Sequence, residues 1–257
     1  MKPRLLVLLA VLLCIPPLRA AETTAAPSTQ APVLVLVHGA WAGGWQYRKV
    51  TALFEAQGIK VFHPSMSGMG EHYNTASPTI GLDTHIDDIV NLIQFEDLHD
   101  VILLGHSYGG MVVTGVADRI PERIKKVIYL DAFVPEDGES LSSQRKPGGG
   151  LNIEAMTKDG MIVPSWVKPD KPWPKDVPQP LKTFTDPIHL KNPAAQKIPS
   201  VYILTVEKGK KPEDDDFYAS SERARARGWP VLHLEANHVP QWYVPEATAA
   251  LIEAQLK

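Results

Sequence analysis

Short apolar runs alternate along the chain with stretches in which apolar residues return every three or four positions. Residues 33–37 read Val-Leu-Val-Leu-Val, the pattern of a strand buried on both faces of a parallel sheet. Residues 45–57 predict a helix ended by Gly58, and Lys60, Val61 and Phe62 predict the next strand. Over 83–97, Ile86, Ile89, Val90 and Ile93 recur at helical spacing, with Asp83 or Thr84 placed to cap the first turn. A strand over 101–105, a helix over 108–119 and a strand over 126–130 follow. Then the rhythm stops. Residues 135–198 hold the run Gly148-Gly149-Gly150, scattered prolines, and Trp166, Trp173 and Phe184. That is too long for an ordinary loop and too rich in Pro for a long helix, so an inserted cap is expected. The alternation resumes with strand 200–204, helix 215–227, strand 231–234 and a last helix over about 245–256. Residues 33–257 therefore predict one α/β domain, a mostly parallel sheet flanked by helices with an inserted cap, and they suffice for a sizeable core.

The first twenty residues break this pattern. Met1 to Arg4 is a basic start, 5–13 is apolar, and Leu18-Arg19-Ala20 offers a small residue for cleavage before Ala21. This predicts a secretory signal peptide, because the apolar run is too short for a membrane span and Pro16-Pro17 interrupts it. Cys14 follows Leu13, where lipoprotein signals carry a small residue, so a cleaved signal is expected rather than a lipid anchor. No Arg pair marks a twin-arginine signal. The expected mature protein is secreted or periplasmic, with 21–32 as a flexible lead-in rich in Thr, Ala, Pro and Ser.

Cleavage changes the composition in two ways that matter. It removes the one cysteine, which excludes a cysteine nucleophile and a disulfide framework. It also removes Lys2, Arg4 and Arg19, leaving 23 basic against 29 acidic residues, a net charge of −6. Nothing basic enough for nucleic acid remains, and no stable membrane anchor is expected.

The candidate chemistry lies at residues 105–109, Gly-His-Ser-Tyr-Gly, where a strand pattern gives way to a helix pattern. This is a G-x-S-x-G nucleophile elbow. So sharp a turn leaves no room for a Cβ two residues before or after Ser107. The following helix aims its free N–H groups at the same spot. Serine needs a base, and the base an orienting acid, which follow in chain order on this kind of sheet. His238 sits after the last strand and before the final helix, so it is the expected base. His233 falls within that strand and reads as structural, and His106 should point away from Ser107. For the acid, Asp131 closes the strand beyond the nucleophile's own, at the same carboxyl edge. Its rival, Glu207, follows strand 200–204 beside Lys208, Lys210 and Lys211, and Asp214, Asp215 and Asp216 read as helix caps. Asp131 is preferred. The N–H groups of Tyr108 and Ala40 would hold an oxyanion, Gly39 letting the loop after the first strand turn tightly. Trp41, Met66 and Met69 would line an apolar substrate pocket, although core packing explains each equally well. No histidine pair has H-E-x-x-H spacing, so no metal site is expected.

The stretches 36–45, Gly68-Met69-Gly70-Glu71, 81–85, 105–110 and 129–135 together resemble the α/β-hydrolase superfamily. More narrowly, they are similar to bacterial esterases related to plant salicylate-ester esterases and hydroxynitrile lyases. The resemblance implies six to eight mostly parallel strands, a cap between the sixth and seventh, and no cofactor. The lyases carry Thr and Lys at positions matching Gly39 and Val239, which favours the esterase branch here. Many members place the acid after the seventh strand, near Glu207, where this chain has no Asp. The expected activity is serine hydrolysis of a carboxylic ester or lactone. A same-fold lyase or cofactor-free haloperoxidase, a small-molecule receptor and a partner-capture module are the alternatives.

Overall fold

A strand with no polar side must be covered on both faces, and that requirement sets the architecture. The computed structural model describes residues 32–145 and 150–256. The first half comprises β1 (Val33–Val37), α1 (Arg48–Glu55), β2 (Lys60–Phe62), α2 (Leu82–Phe95), β3 (Val101–His106), α3 (Gly109–Arg119) and β4 (Ile124–Leu130). An insertion follows: α4 (Leu141–Gln144), α5 (Ile153–Met156), β5 (Thr157–Lys158), β6 (Met161–Ile162), β7 (Gln179–Pro180) and α6 (Lys182–Thr185). The chain then completes β8 (Ser200–Val206), α7 (Tyr218–Ala226), β9 (Val231–Glu235), α8 (Pro240–Tyr243) and α9 (Pro245–Glu253). Six strands form one parallel sheet in the order β2-β1-β3-β4-β8-β9.

Alternation along each strand divides the core. Val33, Val35, Val37, Leu103, Val127, Tyr129, Tyr202 and Leu204 pack on one side with Ile86 and Ile89 of α2 and Val112, Val113 and Val116 of α3. Leu34, Leu36, Ile102, Leu104, Ile128, Leu130 and Ile203 pack on the other with Val50 and Phe54 of α1 and Ile252 of α9. Each such fully buried aliphatic side chain contributes about 1.5–3 kcal/mol.

Register places the site. Val37 pairs with Gly105, Gly105 with Tyr129, and Leu130 with Ile203. The residues that follow β1, β3 and β4 therefore emerge side by side at one carboxyl edge, where parallel sheets hold their ligands. The insertion lies between β4 and β8, the fourth and fifth of the six strands, and is built around the antiparallel sheet β5-β6-β7.

Several local expectations are corrected. Residues 45–57 are not one helix: a 3-10 turn over Gly44–Tyr47 precedes α1. Neither Asp83 nor Thr84 caps α2, which starts at Leu82 behind Gly81 with no side-chain cap. Asp83 instead takes a hydrogen bond from Arg119 of α3 at 2.6 Å. The helix expected over 215–227 shortens to Tyr218–Ala226, because a 3-10 turn over Pro212–Asp214 comes first. The signal peptide, nearly all of the lead-in, and Gly148 and Gly149 lie outside the described residues. No described helix is long and apolar enough to cross a membrane.

Candidate active site

Three residues at the carboxyl edge have left-handed backbones without being glycine: Trp41 at φ 60°, Ser107 at φ 54° and Asp131 at φ 46°. Such conformations cost about 1–3 kcal/mol each and persist only where the surroundings enforce them. At Ser107 the enforcement is visible. Its N–H donates toward the carbonyls of Leu130 (3.3 Å) and Asp131 (3.2 Å), and its carbonyl accepts from Gly110 and Phe133. A Cβ on Gly105 would lie 2.6 Å from the Gly109 carbonyl oxygen and 2.7 Å from Val113, which is the steric demand the pentad implies.

The side chains of Ser107, His238 and Asp131 form a continuous hydrogen-bonded chain. Asp131 is wholly buried; its Oδ1 accepts the Thr205 N–H at 3.0 Å, and its Oδ2 accepts from His238 Nδ1 at 2.6 Å. With Nδ1 protonated, His238 Nε2 is left to accept from Ser107 Oγ at 3.0 Å. The rival acid is elsewhere. Glu207 pairs with Lys210 at 3.0 Å, both side chains about half exposed, and makes no bond to His238. Asp214 accepts from the Lys211 N–H and Asp215 from the Phe217 N–H, so both brace the approach to α7 without capping it.

Residues that the sequence reading did not assign to the site hold His238 in place. The Phe217 ring stacks on the imidazole, centroids 4.7 Å apart and planes at 8°. His106 is buried and its ring bonds are made to residues other than Ser107, but it is not idle. Burial pushes it well below the ordinary histidine range, so it is neutral. Its Nε2 donates to the His238 carbonyl at 2.6 Å, leaving Nδ1 to accept from Gln241 at 3.2 Å. His233 sits on β9 and faces solvent.

Asp215 adds a titration beside this chain. Burial first, and then the charge of Asp131, raise it from 3.8 to about 6. The folded protein therefore holds this proton more tightly than the unfolded chain. The stability it contributes is full below about pH 4 and is lost as pH rises through about 6. Asp215→Asn keeps an acceptor for the Phe217 N–H and removes the charge. Thermal denaturation is expected to show the variant melting with the wild type at pH 4 and above it at pH 8. Equal melting at pH 8 would contradict this assignment.

The two amides expected to hold an oxyanion flank Ser107. Among the described residues, no acceptor is paired with the N–H of Ala40 or of Tyr108. A Cβ on Gly39 would fall 2.8 Å from His106 Nδ1 and 3.0 Å from Ser107 Cβ, so only glycine lets this loop lie against the elbow. His38 anchors the same loop. Burial lowers it to about 4, so the neutral ring donates from Nδ1 to the Gly39 carbonyl and accepts the Met66 N–H at Nε2. Met66 and Met69 are wholly enclosed in the core, which favours packing as their role over lining a pocket. Trp41 is partly exposed and packs edge-on to Trp166 and against Phe184 of the cap. Among the described residues, no three His, Cys, Asp or Glu side chains gather where they would hold an ion.

Comparison with known proteins agrees with this geometry. Residues 34–251 match the model of the alpha/beta hydrolase family. The carbendazim hydrolyzing esterase of Nocardioides sp. (strain SG-4G) is 36% identical over 239 residues, 86% of this chain and 98% of that protein. Methylesterase 17 of Arabidopsis thaliana is 24% identical over 248 residues, 83% of this chain and 87% of that one. Among solved structures, an extracellular alpha/beta-hydrolase from a Paenibacillus species superposes with TM-score 0.73 at 22% identity, covering 87% of this chain and 98% of that one. The Arabidopsis methylesterase MES16 does so with TM-score 0.69 at 25% identity, covering 88% and 99%. The chain thus belongs to the alpha/beta hydrolase family, as a carboxylic ester hydrolase of the esterase and methylesterase type.

Proposed function

We propose that the protein is an exported serine esterase that cleaves a small-alcohol carboxylic ester or a lactone through an acyl-enzyme. The observation that carries this reading is the hydrogen-bonded chain from Asp131 through His238 to Ser107 Oγ, set beside two unpaired amides. Ser107 Oγ attacks the carbonyl carbon while its proton passes to His238 Nε2. The carbonyl oxygen becomes an oxyanion held by the N–H groups of Ala40 and Tyr108. Collapse breaks the bond to the alkoxy oxygen, which takes the proton from His238 and leaves as alcohol. A water then repeats the sequence on the acyl-enzyme, giving the acid and free Ser107. Asp131 stays ionised and stabilises the imidazolium formed at each transfer. No step needs a group beyond these side chains and water.

The small-alcohol preference is drawn from the methylesterase relatives, and the aromatic side chains Trp41, Trp166 and Phe184 suit an aromatic or otherwise flat acyl group. Methyl, ethyl and butyl esters of one aromatic acid, assayed with a lactone by acid release, test both points. Methyl ester turnover at the highest kcat/KM is expected. A protein that turns over none of these esters would be a receptor or a same-fold lyase instead. Export rests on the N-terminal pattern of residues 1–20. Intact mass of the protein from a secreting host is expected to give a chain starting near Ala21. A lipid-bearing form starting at Cys14 would overturn that choice.

A further inference from the structure

We infer that Gln179, a buried cap residue on β7, is a positioning residue that holds the oxyanion loop in its working conformation. The inference rests on the serine esterase reading and adds to it a dependence of the chemical step on the cap.

Every polar group of Trp41 is held from the cap. Its N–H donates to Gln179 Oε1 at 2.7 Å, its carbonyl accepts the Val177 N–H at 2.8 Å, and its indole N–H donates to the Ile162 carbonyl at 3.2 Å. Ile162 and Gln179 are themselves paired across β6 and β7. This clamp explains how a tryptophan persists at φ 60°, a conformation that L side chains avoid. The Trp41 N–H belongs to the peptide just after Ala40, one Cα from the peptide that carries the Ala40 N–H, so a clamp on it limits how far that neighbouring peptide can turn.

The orientation of the Gln179 amide is not free. Its oxygen must face the Trp41 N–H, so its nitrogen donates to Thr183 Oγ1 at 2.8 Å, and that hydroxyl donates to the Pro180 carbonyl at 2.7 Å. Gln179 and Thr183 are both wholly buried. The Tyr108 hydroxyl meets His85 Nδ1 at 2.9 Å, and the Tyr108 ring stacks on Phe184, the cap residue next to Thr183, with centroids 6.0 Å apart. The cap therefore touches both residues that shape the oxyanion site, Gln179 holding Trp41 beside one donor and Phe184 packing on Tyr108, which carries the other. A buried amide bonded at both its oxygen and its nitrogen is costly to replace, because its loss leaves the Trp41 N–H without its acceptor.

Gln179→Met keeps length and volume and removes the acceptor. Loss of a whole oxyanion donor costs about 10²–10³ in kcat, so a displaced donor is expected to cost about 10- to 100-fold. KM should change less than about threefold, because the donor acts on charge that develops after binding. The pH dependence of kcat should stay that of the wild type, since the bonds from Asp131 to Ser107 are untouched. Affinity for an aryl trifluoromethyl ketone, which forms a tetrahedral adduct on the nucleophile, should fall in proportion to kcat. A merely structural role would lower the melting temperature and the active fraction without this parallel loss. If Gln179→Met melts below the assay temperature, Thr183→Val is read in the same assays, with about a fivefold loss of kcat and ketone affinity expected. Folded variants with kcat within twofold of wild type, or a kcat loss without loss of ketone affinity, overturn the inference alone. A wild type with no turnover and no adduct on Ser107 overturns the esterase reading and takes this inference with it.

Discussion

Ser107→Ala is expected to lower kcat for ester hydrolysis by about six orders of magnitude, the loss seen when triad enzymes lose their nucleophile. Ser107 is only 9% exposed, so its hydroxyl is not a free surface group. Among the described residues its side chain nevertheless bonds only His238, and the backbone bonds that fix the elbow come from its N–H and carbonyl. Alanine keeps those, so the variant should melt within a few degrees of the wild type. Steady-state kinetics beside a thermal melt check both halves. A folded variant with substantial activity would move the nucleophile elsewhere.

The second large effect concerns the acid. Asp131→Asn is expected to cut kcat by about three to four orders of magnitude. An amide at this position can still accept the Thr205 N–H. It can also turn its nitrogen toward His238, which stabilises the tautomer with Nδ1 unprotonated and Nε2 blocked by hydrogen. The imidazole then no longer accepts the Ser107 proton. Glu207→Gln is expected to change kcat by less than about tenfold, because its carboxylate sits in a surface pair with Lys210. Reversed magnitudes in the two variants would place the acid after β8.

Much of this arrangement is legible in the chain because it is local. The run that becomes β1 is apolar at every position, and β3, β4 and β8 each hold four apolar residues in a row, at 101–104, 127–130 and 201–204, so these strands can be recognised without their partners. The elbow is legible because its glycines answer a steric demand within five residues, and Asp131 because a charge that closes an apolar strand requires a partner. What sequence reading misses is set by distant contacts. The bond between Trp41 and Gln179 joins residues 138 apart, and His106 reaches His238 across 132. No periodicity in the cap marks Gln179, nor does any marker single out Phe217 as the face that His238 stacks on. The cap on α2 fails for the same reason: Asp83 has the composition of a cap, but Arg119 on a neighbouring helix takes it. The lead provided by Met66 and Met69 toward a pocket dissolves into the core, because an apolar side chain has the same sequence signature in either place and both are wholly buried.

Rapid quenching of p-nitrophenyl acetate turnover, followed by peptide mass spectrometry, tests the central claim most directly. A burst of nitrophenol and an acetyl group carried by Ser107 alone are expected, with neither in His238→Ala. Turnover that leaves no acyl group on Ser107, or places it on another residue, would contradict it.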